Sequence, residues 1–155
     1  MLRASEKMTR DPRMVSPDDS IREVARVMAE IDAGAVPVVG QGGRLLGMVT
    51  DRDIALRAVA RGKGPDTPVR EVMTPEVECC FEDDDLQRVA RAMGEQQVRR
   101  LPVLSRDGRR LVGILSLGDI AIGEGPRPAG EALAGVSRPG GPHSQAGGPR
   151  TGPGA

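Results

Sequence analysis

The chain repeats itself, and that constrains its fold more than any local pattern does. At an offset of 65 residues Met8-Thr9 recurs as Met73-Thr74, Asp18-Asp19 as Asp83-Asp84, Val24-Ala25-Arg26 as Val89-Ala90-Arg91, Met28 as Met93 and Pro37-Val38 as Pro102-Val103. One residue is then inserted. At an offset of 66, Leu45, Gly47, Asp53, Ile54 and Ala55 recur as Leu111, Gly113, Asp119, Ile120 and Ala121. A fixed period of this kind means one supersecondary unit used twice. The copies are expected over 7–61 and 69–122, joined by a Gly/Pro-containing connector at 62–68. A unit of about 55 residues buries only about 60% of its unfolded surface alone. The two copies are therefore expected to share a core about a pseudo-two-fold axis, with a connector long enough to fold the second back on the first.

Within each copy the elements read strand, helix, strand, strand, helix, a mixed α/β unit. Ser20-x-x-Glu23 has the form of a capping box, and Ile21, Val24, Ala25, Met28 and Ile31 then fall on one helical face. The counterpart helix carries Leu86, Val89, Ala90 and Met93 behind an expected N-cap at Asp85. Two β-rich runs follow in each copy, Val36 to Val39 with Arg44 to Val49, and Leu101 to Leu104 with Arg110 to Leu115, each pair read as a hairpin. The runs Leu45 to Val49 and Leu111 to Leu115 are apolar on both faces, so they are expected as central strands of two small sheets. Pro37 and Pro102 cannot donate to a ladder, which puts their strands at an edge or a bulge.

Composition sets the outer limits. The final 33 residues, Gly123 to Ala155, hold 10 Gly and 6 Pro, against 11 and 7 in the 122 residues before them. So little apolar surface does not offset chain entropy, and 123–155 is expected as a disordered Gly/Pro-rich tail with at most a transient turn at Glu131 to Val136. Twenty-two basic residues cancel 22 acidic ones, and Phe81 is the only aromatic residue, which excludes a non-specific nucleic-acid binder. The longest apolar runs are about a quarter of the ~20 residues a membrane-spanning helix needs. With no apolar signal region in MLRASEKMTRDPR, the expected setting is soluble and cytoplasmic. Cys79 and Cys80 are adjacent, cannot staple distant segments, and lack the basic flanks that lower a thiol pKa, so they read as strand packing. His143, the single histidine, lies in the tail, which argues against imidazole catalysis and His-based metal sites. The acidic run Glu82-Asp83-Asp84-Asp85 reads as a helix N-terminus favoured by the macrodipole rather than as a metal site.

The chemistry-bearing motif closes each central strand. Gly47-Met48-Val49-Thr50-Asp51-Arg52-Asp53 and Gly113-Ile114-Leu115-Ser116-Leu117-Gly118-Asp119 both read Gly-x-x-[Thr/Ser]-x-x-Asp. A hydroxyl followed three residues later by a carboxylate, at a strand-to-helix junction, caps the helix. The same groups, with free backbone N–H groups, also suit a ribose diol beside a phosphate.

The repeated Met-Thr, Pro-Val and Gly-x-x-[Thr/Ser]-x-x-Asp pattern resembles a tandem pair of cystathionine β-synthase (CBS) domains, or Bateman module, from Lys7 to about Ile122. Thr50-Asp51-Arg52-Asp53-Ile54 and Val98-Arg99-Arg100-Leu101-Pro102-Val103 make it most similar to the small stand-alone hypoxic-response type of actinobacteria. The resemblance implies a cleft between the repeats that holds AMP, ADP, ATP or S-adenosylmethionine. It assigns ribose binding to Asp53 and Asp119, ribose or phosphate binding to Thr50 and Ser116, and phosphate binding to Arg99, with Arg100 beside it. It also implies a homodimer. The copies are unequal, because Gly34 and Ala35 stand where the second copy has Arg99 and Arg100. The implied function is a non-catalytic regulatory module that requires no cofactor or metal and signals through an effector protein. The alternative is a ligand-free interaction dimer that recruits a protein partner. An enzyme would need a base to activate Thr50 or Ser116, and the motif offers none.

Overall fold

The computed structural model describes residues 1–124 and 126–136. The first copy contributes α1 (Ala4–Lys7), β1 (Thr9–Arg10), α2 (Ile21–Ile31), β2 (Ala35–Val39), β3 (Leu45–Thr50) and α3 (Asp51–Asp53). The helical run begun by α3 continues with π-type winding at Ile54–Ala58 and closes in a 3-10 turn at Val59–Arg61. The second copy contributes a short turn at Val69–Glu71, then β4 (Thr74–Pro75), β5 (Cys80–Phe81), α4 (Leu86–Gln96), β6 (Arg100–Leu104), β7 (Leu111–Ser116) and α5 (Leu117–Glu124). A last helix, α6 (Pro126–Val136), follows. None of these helices is long and apolar enough to cross a membrane.

Local chemistry explains the helix starts. Ser20 Oγ accepts from the Glu23 backbone N–H at 3.2 Å, and Asp85 Oδ1 accepts from that of Gln87 at 3.1 Å. The capping box expected at Ser20 is only half made, because the Glu23 carboxylate turns to Arg26 at 2.7 Å. Both α2 and α4 end in a left-handed residue, Asp32 and Gln97, at matching positions of the repeat.

The strands form two sheets, ordered β1-β7-β6-β5 and β2-β3-β4, with β3 and β7 central as the apolar runs require. The first strand of each copy joins the other copy's ladder. Thr9 and Arg10 of β1 pair antiparallel with Ile114 and Gly113 of β7, while Thr74 and Pro75 of β4 pair with Met48 and Gly47 of β3. Other partnerships recur at the same offset: Ala4 N–H donates to Asp84 O, as Val69 N–H does to Asp19 O. The parallel bridge between Val15 and Val38 likewise matches the pairing of Cys80 with Val103. This reciprocity is the structural form of the sequence repeat.

Pro37 lies on β2, which shows the expected irregularity as a register shift between Val38 and Val39 and has β3 on one side and the single parallel bridge from Val15 on the other. Pro102 does not follow the rule, since β6 is flanked on both sides. Its missing N–H is tolerated because the two-residue β5 pairs only with Val103 and Leu104.

Contacts divide the chain into two compact units that do not follow the repeat. One comprises Met1–Met8, Asp83–Leu101 and the chain from Leu115; the other comprises Thr9–Glu82 and Pro102–Ile114. The second unit has a core of Val15, Ile21, Val24, Met28, Val36, Val38, Val49, Ala58, Val69 and Val72. Each fully buried aliphatic side chain in it contributes roughly 1.5–3 kcal/mol. In the first unit Leu86, Met93, Leu115 and Ile120 are fully buried.

The expected disordered tail is corrected over its first part. Residues 117–124 continue as α5, and α6 folds onto α4 and α5. Small residues rather than large apolar ones make that packing, with Ala132 and Gly135 buried, so a reckoning by apolar bulk misses it. The remainder of the tail expectation, 137–155 with His143, lies outside the described residues.

Candidate functional site

Both motif junctions are built alike. At the first, Thr50 keeps an extended backbone at the end of β3, and its Oγ1 accepts from the Asp53 N–H at 3.0 Å. Asp53 Oδ2 accepts in return from the Thr50 N–H at 2.9 Å. At the second, Ser116 Oγ accepts from the Asp119 N–H at 3.2 Å, and Asp119 Oδ2 accepts from the Ser116 N–H at 2.8 Å. Each carboxylate thus sits at the positive start of a helix with one oxygen spent on the cap. All four residues are half-buried, within reach of solvent.

The surroundings differ. Thr74 Oγ1 lies 3.5 Å from each Asp53 carboxylate oxygen, and Arg57 Nε lies 3.8 Å from Oδ1. Arg57 is itself anchored by donating to the Met73 carbonyl at 3.2 Å. Thr74 arrives through the β3–β4 pairing, so the first junction draws on both copies. At the second junction the residue matching Arg57 is Gly123. Among the described residues Asp119 forms no ion pair, and no second polar partner reaches its carboxylate.

One backbone contact ties a further residue to each junction. The Asp51 N–H donates to the Gly34 carbonyl at 2.9 Å, and the Leu117 N–H donates to the Arg99 carbonyl at 3.2 Å. The main chain of Arg99 is thereby bonded directly beside Ser116. In the first copy a Cβ on Gly34 would lie 2.8 Å from Asp51 Oδ2, so a side chain there would displace the exposed Asp51 carboxylate. Leu117 in place of Asp51 removes that conflict. Arg99 and Arg100 are both exposed, and neither forms an ion pair among the described residues. Thr74 and Arg57 were missed as site residues. The repeated Met-Thr step was the available signal for Thr74, but nothing local announces that a two-residue strand will cross to the other copy's ladder.

A reciprocally exchanged pair of α/β repeats, each ending a central strand in a hydroxyl–carboxylate junction, defines the class of protein. The chain belongs to the CBS domain family, whose model matches residues 4–59 and 69–122. It is 42% identical over 138 residues to the CBS domain-containing protein YhcV of Bacillus subtilis, covering 88% of this chain and 96% of that protein. It is 36% identical over 122 residues to Hypoxic response protein 1 of Mycobacterium tuberculosis, covering 78% and 84%.

Among solved structures it is similar to Hypoxic Response Protein I with two coordinated zinc ions (TM-score 0.72, 35% identity, 79% of this chain and 98% of that one). It is also similar to CBSX2 in complex with AMP (TM-score 0.72, 25%, 80% and 96%). A third likeness is to the CBS pair of protein MJ0100 with 5-methylthioadenosine and S-adenosyl-L-methionine (TM-score 0.69, 29%, 79% and 94%). Among the described residues no three His, Cys, Asp or Glu side chains are grouped to hold a metal ion.

Proposed function

We propose that this chain is a non-catalytic regulatory module that binds an adenosyl ligand, AMP, ADP, ATP or S-adenosylmethionine, through its two Gly-x-x-[Thr/Ser]-x-x-Asp junctions. The observation that carries this reading is the second junction. Asp119 spends one carboxylate oxygen on its own helix cap and keeps the other free to accept from ribose hydroxyls. The Ser116 hydroxyl, which accepts from the Asp119 N–H, keeps its proton to donate. Arg99, bonded through its carbonyl to Leu117, supplies the cation for a phosphate, with Arg100 adjacent. The first junction is the weaker site, because Thr74 and Arg57 already crowd Asp53 and Gly34 supplies no cation. The adenosyl ligands carried by CBSX2 and MJ0100 support the ligand class.

The hydroxyl–carboxylate pairs serve as helix caps and not as activated nucleophiles, which supports a regulatory rather than catalytic role. The chain acts as a cytoplasmic homodimer, and a signal leaves through an effector protein. Exposed Leu56 and Val59 on the helical run after β3 support self-association. A thermal-shift series with AMP, ADP, ATP and S-adenosylmethionine tests the reading. A ligand at 100 times its Kd adds about 2.7 kcal/mol of stability. A shift with at least one of the four is expected; no shift with any would replace this reading with that of a ligand-free interaction dimer.

A further inference from the structure

The two hairpins end in a cluster of arginines that the junction chemistry does not use. Arg44 and Arg110 hold matching positions of the repeat, and each closes its hairpin through its carbonyl, which accepts from Gly40 N–H and Ser105 N–H respectively at 2.8 Å. They stand directly opposite each other in an antiparallel bridge. Arg106 and Arg109 lie beside them in the turn after β6, and all four arginines are exposed. These residues belong to the same compact unit. Counted along β3, Arg44 lies roughly 20 Å from Thr50, so this end is separate from the first junction.

The cluster is held against its own electrostatics. Like charges directly opposite each other on paired strands are destabilising. Arg44, Arg109 and Arg110 nonetheless form no ion pair among the described residues, and Asp107 in the same turn spends one carboxylate oxygen on the Gly108 N–H at 2.7 Å. Arg109 also carries a backbone cost. It is left-handed, with φ 51°, where the matching residue of the first copy is Gly43 at φ 79°. Phe81, the chain's single phenylalanine, gathers two of the cations: the Arg106 guanidinium lies 4.3 Å from the ring centre and that of Arg109 5.7 Å. Attraction to a ring takes up no carboxylate and neutralises no charge.

We propose that the paired hairpin tips are a docking surface for an acidic segment of a partner protein. The inference rests on the effector reading above and gives that effector a chemistry. Four cations spread over two exposed tips exceed what one small anion neutralises, whereas a run of carboxylates along an extended chain meets them one by one. Each guanidinium fork takes a carboxylate bidentately. Residues 137–155 contain no Asp or Glu, so the chain's own end is not the occupant.

The test is fluorescence anisotropy of labelled octaglutamate titrated with the full chain at low ionic strength, with circular dichroism checking the fold. Binding that weakens as salt rises is expected. Arg44→Glu with Arg110→Glu should raise Kd about tenfold or more. Arg61→Glu with Arg91→Glu changes the net charge equally at exposed positions elsewhere and should leave Kd within about twofold. Arg109→Gly separates docking from packing, since it should raise the melting temperature by relieving the left-handed residue while weakening the peptide about threefold. Absence of peptide binding overturns the proposal, as does an equal loss in the charge-matched control or tighter peptide binding in Arg109→Gly. Tripolyphosphate that binds more tightly than the peptide, through the same arginines, overturns the partner class in favour of a phosphate. The nucleotide thermal-shift series tests the ligand reading apart from this one: a shift without peptide binding strikes the acidic-partner surface alone, and peptide binding without any shift strikes the ligand reading alone.

Discussion

The first and second junctions share one backbone plan and differ in what surrounds the carboxylate. Asp53 has a threonine and an arginine near it and a glycine where its strand approaches. Among the described residues Asp119 has neither neighbour, and Arg99 stands just before the approaching strand β6. A duplicated cap can thus keep its local hydrogen bonds while its ligand-facing chemistry diverges, because capping uses only one carboxylate oxygen and the hydroxyl lone pairs.

The contrast can be broken most severely at Gly47. A Cβ there would stand 2.3 Å from the Thr74 carbonyl oxygen, so Gly47→Val must push β4 away from β3. A loss of about 3 kcal/mol in denaturant unfolding is expected, at the upper end for overpacking. The first junction should lose Thr74 with it, while ligand binding at the second is retained.

Arg99→Ala sharpens the comparison from the other side. It removes the cation proposed for a phosphate, costing about 1.5–3 kcal/mol of binding, so Kd for a phosphorylated adenosyl ligand should rise tenfold or more. Affinity for adenosine should change much less, and the melting temperature of the free chain should not move.

Cap deletions come next. Thr50→Ala and Ser116→Ala should each cost about 1 kcal/mol of stability. Their effects on ligand binding should differ, because Thr74 and Arg57 still hold Asp53 in place, whereas Asp119 has no second support among the described residues. Calorimetric titration of the two variants reads the difference.

The smallest effect lies beyond the connector. Lys63 bonds Glu71 at 2.9 Å and holds that exposed carboxyl below its ordinary pKa, chiefly through this hydrogen bond and then through its charge. A lowered folded-state pKa stabilises above the unfolded value and is lost as pH falls through the folded one. In Lys63→Ala the Glu71 carboxyl should titrate closer to a free glutamate by NMR, with a smaller loss of stability on acidification. At an exposed pair the effect on folding is slight.

Much of this was legible in the sequence for identifiable reasons. The 65/66 offset gave the duplication, the apolar runs gave the central strands β3 and β7, and Thr50-x-x-Asp53 with Ser116-x-x-Asp119 gave both caps. The exchange of β1 and β4 was not readable, since two-residue strands carry no alternation and their partners lie far along the chain. Helix α6 was hidden because Gly94, Ala132 and Gly135 stabilise by closeness rather than by apolar area, and hydrophobic periodicity does not register closeness. Its one sequence trace is Gly94 standing where the first copy has Ala29.

The two junctions are proposed as unequal ligand sites. Calorimetric titration of Asp53→Ala and Asp119→Ala with the adenosyl ligand that gives the largest thermal shift tests this inequality most directly. A loss of affinity in Asp119→Ala well beyond that in Asp53→Ala is expected. Equal losses would contradict the asymmetry, and unchanged binding in both variants would contradict the site itself.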